Sequence, residues 1–202
     1  MAKLDRAEGS RATTVTFGVG DTNALTASGN GWSNQDGQLM RTATQPDPKS
    51  DPHAWLHNLP LDLTNASIEA EVVIDSAGSA DQPAFAELVL KRNDRQVAVR
   101  IALGDEVVPT LLYTDATKPK PARIEGAHDS IEAGHKYRLT VSVINGKATA
   151  TLDHHPIGSA LVGGLGGDHG EAGFGCEVGR CRFSNVRVIG GSAEHTTTAQ
   201  KG

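Results

Sequence analysis

The stretch from Tyr137 to Asp153 constrains this chain more than any other, because it specifies a β-hairpin residue by residue. Asn145-Gly146 is the strongest two-residue hairpin signal, since a type I′ turn needs positive φ at both central positions. Centring the turn there pairs Val143 with Ala148, Val141 with Ala150 and Leu139 with Leu152, giving one apolar face. The other face pairs Ser142 with Thr149, Thr140 with Thr151 and Arg138 with Asp153, and predicts a cross-strand ion pair at its end. A slip of one residue would scramble both faces, so the register is well specified.

A second hairpin follows from the same logic. With Asn93-Asp94 as the turn, Leu90 faces Val97, Leu88 faces Val99 and Ala86 faces Ile101, while Glu87 meets Arg100 and Lys91 meets Gln96 on the opposite side. Ile68, Ala70, Val72 and Ile74 alternate with Glu69, Glu71, Val73 and Asp75, one face apolar and the other mostly acidic. Shorter strands are expected at Thr13–Phe17, Gly37–Thr42, Ala54–Leu56 and Thr110–Tyr113. A final pair is expected between Gly173–Cys176 and Cys181–Phe183, with Phe174 opposite Phe183 and Cys176 opposite Cys181. The apolar phase then moves from Cys181 and Phe183 to Val186 and Val188, which predicts a β-bulge near Ser184-Asn185.

No segment has sustained helical periodicity, and composition agrees with an all-β reading. Only 4% of the residues are aromatic and 23 of 202 are glycine, which suits small side chains and many turns. One domain is expected from residue 13 to 190, between an N-terminal arm (1–12) and a polar tail (191–202) of the kind ordered by a partner. Gln45–Pro52 and Lys118–Pro121 read as rigid loops, and Gly163–Gly167 as a flexible turn. The net charge of −5, without a Lys/Arg cluster, argues against nucleic acid as a partner. No apolar run approaches the roughly 20 residues of a membrane-spanning helix. The first ten residues lack the apolar core of a secretion signal, so synthesis in the cytoplasm is expected, with later delivery to a virion or cell surface.

The order of these elements resembles the concanavalin A-like, or laminin G-like, jelly-roll family. Gly31–Leu39, the hairpin His135–Asp153, and Gly173-Phe174-Gly175 leading into Phe183–Val188 carry the resemblance. Within that family the chain is most similar to 3-keto-disaccharide hydrolase-type modules, which end in a similar Phe-x-Asn-Val-x-Val strand. The resemblance implies a two-sheet antiparallel β-sandwich from about Thr13 to Ile189. Lectins, glycosidases, lyases, adhesion modules and viral coat proteins share this fold, so the fold does not select a function.

Candidate sites are sparse. Laminarinase-type members of the family share a Glu-x-Asp-x-Glu strand, and the nearest match here is Glu69-Ala70-Glu71 with Asp75 beyond it. Same-face neighbours on a strand lie about 6.5–7 Å apart, a separation compatible with paired-carboxylate hydrolysis. The central aspartate and third carboxylate are not at the positions that motif requires, so a solvated acidic face is the plainer expectation. His53 and His57 flank Trp55 between Pro52 and Pro60, and His154-His155 follows the main hairpin; all four read as loop histidines rather than metal ligands. Calcium is common in the family, and Asp36, Asp47, Asp51 and Asp168 could supply oxygen, but no spacing singles out a set. The Cys176–Cys181 pair is close enough for a disulfide; without a secretion signal, two buried thiols beside Phe174 and Phe183 are expected instead.

Glycan recognition would need exposed rings, because sugar faces stack on them. Trp32, Trp55, Tyr113 and Tyr137 are the residues to consider. Trp32 and Tyr137 fall at core positions, which leaves Trp55 as the best platform. Three functions follow in order of expectation. The first is a non-catalytic binding or surface-display module recognising a glycan weakly. The second is a coat or decoration subunit of an assembly such as a virion, partnered by other protein subunits. The third is a glycoside hydrolase or lyase.

Overall fold

The computed structural model describes residues 3–6, 12–16, 25–27, 31–43, 51–56, 59, 61–76, 83–104, 107–114, 121–127 and 130–190. Among them there is no helix. Two antiparallel sheets pack face to face as a β-sandwich. The strands are β1 (Lys3–Arg6), β2 (Ala12–Thr16), β3 (Leu25–Ala27), β4 (Trp32–Gln35), β5 (Gln38–Ala43), β6 (His53–Leu56), β7 (Asn65–Ser76) and β8 (Phe85–Arg92). They continue as β9 (Arg95–Ala102), β10 (Thr110–Tyr113), β11 (Ala122–Glu125), β12 (Lys136–Ile144), β13 (Lys147–Leu152), β14 (His155–Leu161), β15 (Glu171–Glu177) and β16 (Gly179–Ile189). The first sheet runs β1-β2-β16-β7-β12-β13-β14, with β5 also on β16 and β4 on β5. The second runs β11-β10-β9-β8-β15-β6-β3.

Both hairpins adopt the register their sequences specify. Leu139, Val141 and Val143 stand opposite Leu152, Ala150 and Ala148, and Asn145 and Gly146 have φ of 50° and 75°. Ala86, Leu88 and Leu90 stand opposite Ile101, Val99 and Val97, with Glu87 opposite Arg100. Ile68, Ala70, Val72 and Ile74 of β7 are fully buried, as their alternation predicts. The inward residues of the two sheets, with Phe174 and Phe183 in ring contact at 5.2 Å, make one continuous core.

The bulge near Ser184-Asn185 is present and has a topological role. The first half of β16 pairs with β5, from Gly179 to Phe183, and the second half with β2, from Val186 to Ile189. Its ladder with β7 shifts register between Ser184 and Arg187, where Asn185 has φ of 50°. The extra residue therefore sits where β16 changes partners.

Three expectations are corrected. Gly173–Cys176 and Cys181–Phe183 do not pair as a hairpin, because β15 belongs to the second sheet and β16 to the first. Their residues face each other across the sandwich instead, so the apolar matching survives while the hydrogen bonding does not. Cys176 and Cys181 are not thiols but a disulfide with Cα atoms 6.1 Å apart, joining the two sheets where the chain crosses between them. Gly163–Gly167 is pinned rather than loose: Gly163 and Gly166 carbonyls accept from Arg95 and Arg92, and Gly167 accepts from the Leu63 amide. Within the expected N-terminal arm, Lys3–Arg6 adds a strand to the first sheet through β2. The polar tail, 191–202, lies outside the described residues.

Candidate functional site: the outer faces of the two sheets

The outer face of the second sheet is organised by two glycines. On β15, Gly173 lies between Trp55 of β6 and Val89 of β8, and Gly175 between His53 and Glu87. Strands two apart are separated by nearly 10 Å, too far for side chains to meet across an ordinary residue between them. A Cβ on Gly173 would come within 2.6 Å of the Trp55 ring, and one on Gly175 within 2.5 Å of Glu87 Cγ. The bare strand lets Trp55 and Glu87 lie across it.

Over Gly175 the imidazole of His53 reaches Glu87, with Nε2 2.5 Å from Oε1. Its Nδ1 meets the carboxylate of Asp51. The second oxygen of Glu87 accepts from Arg100 Nε at 2.8 Å, across the β8–β9 ladder. Glu87 is only 2% exposed. Burial works against its charge, but His53 and Arg100 outweigh that cost and hold the carboxyl below its ordinary range. Burial likewise opposes the imidazolium, and Glu87 and Asp51 outweigh it, so His53 is raised. Each ring nitrogen of His53 thus faces a carboxylate oxygen, so both are already engaged.

Each half-buried ring on this face carries a cation. The Lys91 ammonium lies 4.8 Å from the Trp55 ring centre, and the Arg100 guanidinium 3.8 Å from that of Phe85. His53 and Trp55 are in ring contact at 5.4 Å. Trp55 is thus less free than an open platform would be. Trp32 packs near Phe183 at 6.0 Å, and Tyr137 is buried with its hydroxyl accepting from the Glu132 amide, as their core positions imply. Tyr113 also packs against the core.

Glu69 and Glu71 lie on the other sheet, on a face of hydroxyls and ion pairs. Thr140 donates to Glu69 at 3.3 Å. Lys136 holds Glu71 at 2.8 Å and Arg138 at 3.5 Å. The hydrogen bond from Lys136, joined by those from Asn185 and Arg138 and opposed by burial, lowers the Glu71 carboxyl, the reverse of what a general acid needs. The ion pair expected between Arg138 and Asp153 does not form. Asp153 turns back, with φ of 46°, to accept the Arg138 backbone amide at 2.7 Å, which frees the guanidinium for Glu71. Near the β4–β5 turn this face opens into a cleft of about 380 Å³, lined by Gln35, Asp36, Gln38, Met40, Asp75, Arg180 and Arg182.

The proposed calcium donors are not gathered. Asp36 lies in the β4–β5 turn of the first sheet, while Asp51 and Asp168 precede strands at opposite ends of the β15 ladder in the second. Asp47 and His57 lie outside the described residues. Among the described residues, no three His, Cys, Asp or Glu side chains converge as a metal site would require. His154 occupies the turn into β14, and His155 begins that strand.

No family model matches the chain, and no curated protein matches it in sequence. Solved structures do. The carbohydrate-binding module CBM66 from Bacillus subtilis superposes with a TM-score of 0.61 at 11% identity, over 85% of this chain and 98% of that one. The fold is a concanavalin A-like jelly roll. The polysaccharide lyase family 7 alginate lyase A1-II′ matches with a TM-score of 0.58 at 12% identity, over 82% and 85%. The Crh5 transglycosylase matches at 0.66 and 9%, over 95% and 90%. At these identities the likeness concerns the fold, on which one binding module and two kinds of enzyme are built.

Proposed function

We propose that this chain is a non-catalytic glycan-binding module that contacts sugar with the outer face of the second sheet around Trp55. The observation that carries this reading is the state of that face. Two rings with cations over them flank a charged network in which every acid and base is already matched to a partner. A stacking surface edged by donors suits sugar rings and hydroxyls. A hydrolase or lyase needs a group free to give or take a proton, and neither Glu87 nor His53 is free. The naming of one structural neighbour as a carbohydrate-binding module agrees with this reading. Lys91 is the group expected to leave the ring and donate to the sugar as it docks.

A glycan array tests the proposal. At least one glycan should bind, and Trp55→Ala should weaken it by roughly tenfold, about 1.4 kcal/mol. An empty array, or binding indifferent to Trp55→Ala, would overturn it. The sugar-active alternative draws on the lyase and transglycosylase neighbours. It requires product formation that Glu69→Gln, Glu71→Gln or Glu87→Gln removes.

A further inference from the structure

The cleft on the first sheet is built from opposite sides by two devices. The β4–β5 hairpin, turning at Asp36-Gly37 with φ of 51° and 76°, supplies Gln35, Asp36, Gln38 and the thioether of Met40. The other wall comes from a register shift. β16 pairs Arg180 with Ser76 and Cys181 with Ile74, so Asp75 is the extra residue of a bulge in β7. Bulges re-aim side chains, and this one brings Asp75 to Arg180 and Arg182 of β16. Arg182 grips it with two bonds, Nε to Oδ2 at 2.7 Å and Nη2 to Oδ1 at 2.6 Å, and Arg180 Nε stands 3.5 Å from Oδ2.

This arrangement leaves definite chemistry unused. Asp75 holds Arg182 in a fixed plane, yet its oxygens keep lone pairs free to accept. Neither Nη of Arg180 has a partner among the described residues, and neither do the side-chain amides of Gln35 and Gln38. Two guanidiniums and two carboxylates, Asp36 and Asp75, cancel in formal charge, so an anion gains little from the cleft as a whole. Fixed acceptors beside fixed planar donors, with a single apolar contact at Met40, match a vicinal pair of sugar hydroxyls and the adjoining C–H surface. The volume lies near the lower end of the roughly 300–1,000 Å³ of small-molecule sites, enough for one or two sugar rings.

We infer that the cleft is a second glycan site, ringless and separate from the Trp55 face, that takes a neutral terminal sugar through a vicinal diol. The ligand class rests on the glycan-binding reading above; the site does not, because it lies on the other sheet.

The test is a titration of the whole isotope-labelled chain with methyl glucoside, methyl mannoside, methyl galactoside and methyl galacturonate, followed by NMR. At least one neutral glycoside should shift the side-chain signals of Gln38 and Arg180. Arg180→Ala and Gln38→Ala, both at accessible positions, should each weaken that binding by roughly tenfold, while Trp55→Ala should leave it unchanged. No shift with any glycoside, shifts confined to methyl galacturonate, or shifts that survive both substitutions would overturn the inference. If the cleft fails while an array still shows Trp55-dependent binding, the second-sheet proposal stands alone. Should cleft binding persist in Trp55→Ala with an empty array, the reverse holds.

Discussion

The two outer faces of this sandwich solve the same problem in opposite ways. Both must keep charged side chains on a sheet whose other side is core. On the first sheet the charges stay near water: Lys136 is 60% exposed and Arg138 is 42% exposed where they meet Glu71. Such pairs contribute little, because solvent screens them and long side chains must be ordered. On the second sheet two glycines remove the side chains between strands, and Glu87 sinks into the gap with His53 and Arg100 closing over it. A charge held that way is costly to strand, so that network organises the surface around it. The face that pays attention to geometry is the one carrying the rings.

Substitutions that break this contrast should rank accordingly. Glu87→Ala should be the most damaging, at about 3–5 kcal/mol, because it leaves His53 and Arg100 without their shared carboxylate. Urea denaturation measures it, and a loss comparable to that of Glu71→Gln would erase the distinction between the faces. Reducing the Cys176–Cys181 bridge should cost about 2 kcal/mol, near the low end for disulfides because the loop it closes is short. A thermal melt with and without reductant reads this directly, and no shift would mean the bridge adds nothing. Gly175→Ala should cost about 1–3 kcal/mol through overpacking against Glu87. Glu71→Gln should fall within about 1 kcal/mol of the parent.

The same network fixes a pH dependence. His53 is raised, so its stabilising effect is complete below its ordinary value near 6.5 and is lost as pH climbs through its folded value. Glu87 is lowered, so its effect is present above the ordinary carboxylate range and is lost as pH falls through its folded value. Stability should therefore be highest between these limits. Denaturation midpoints across pH should show an alkaline decline that His53→Gln removes; an unchanged decline in that variant would place its origin elsewhere.

How much of this was legible beforehand depended on sequence distance. The hairpins were readable because turn and alternation are local: Asn145-Gly146 and Asn93-Asp94 each set a register that the sheets retain. The Glu87–Arg100 half of the buried network was visible for that reason. His53 was not, since it joins through β15, which follows it by more than a hundred residues. The signal available was Gly173-x-Gly175, two missing side chains on one strand face, which marks a place where large neighbours must lie. The matched apolar residues of β15 and β16 indicate facing, and facing occurs across a sandwich as well as within a sheet, so they do not specify a hairpin. Phe85 and Lys91 give no local sign of belonging to this surface, because each reads as an ordinary strand position.

The central claim is that the second-sheet face holds sugar without cutting it. Affinity electrophoresis through a panel of soluble polysaccharides, with mass spectrometry of the same polysaccharides after incubation, tests both halves together. The account predicts that at least one polysaccharide retards the protein, that Trp55→Ala weakens that retardation by roughly tenfold in apparent affinity, and that chain lengths stay unchanged. Shortened products that disappear in Glu87→Gln, or migration indifferent to every polysaccharide, would contradict it.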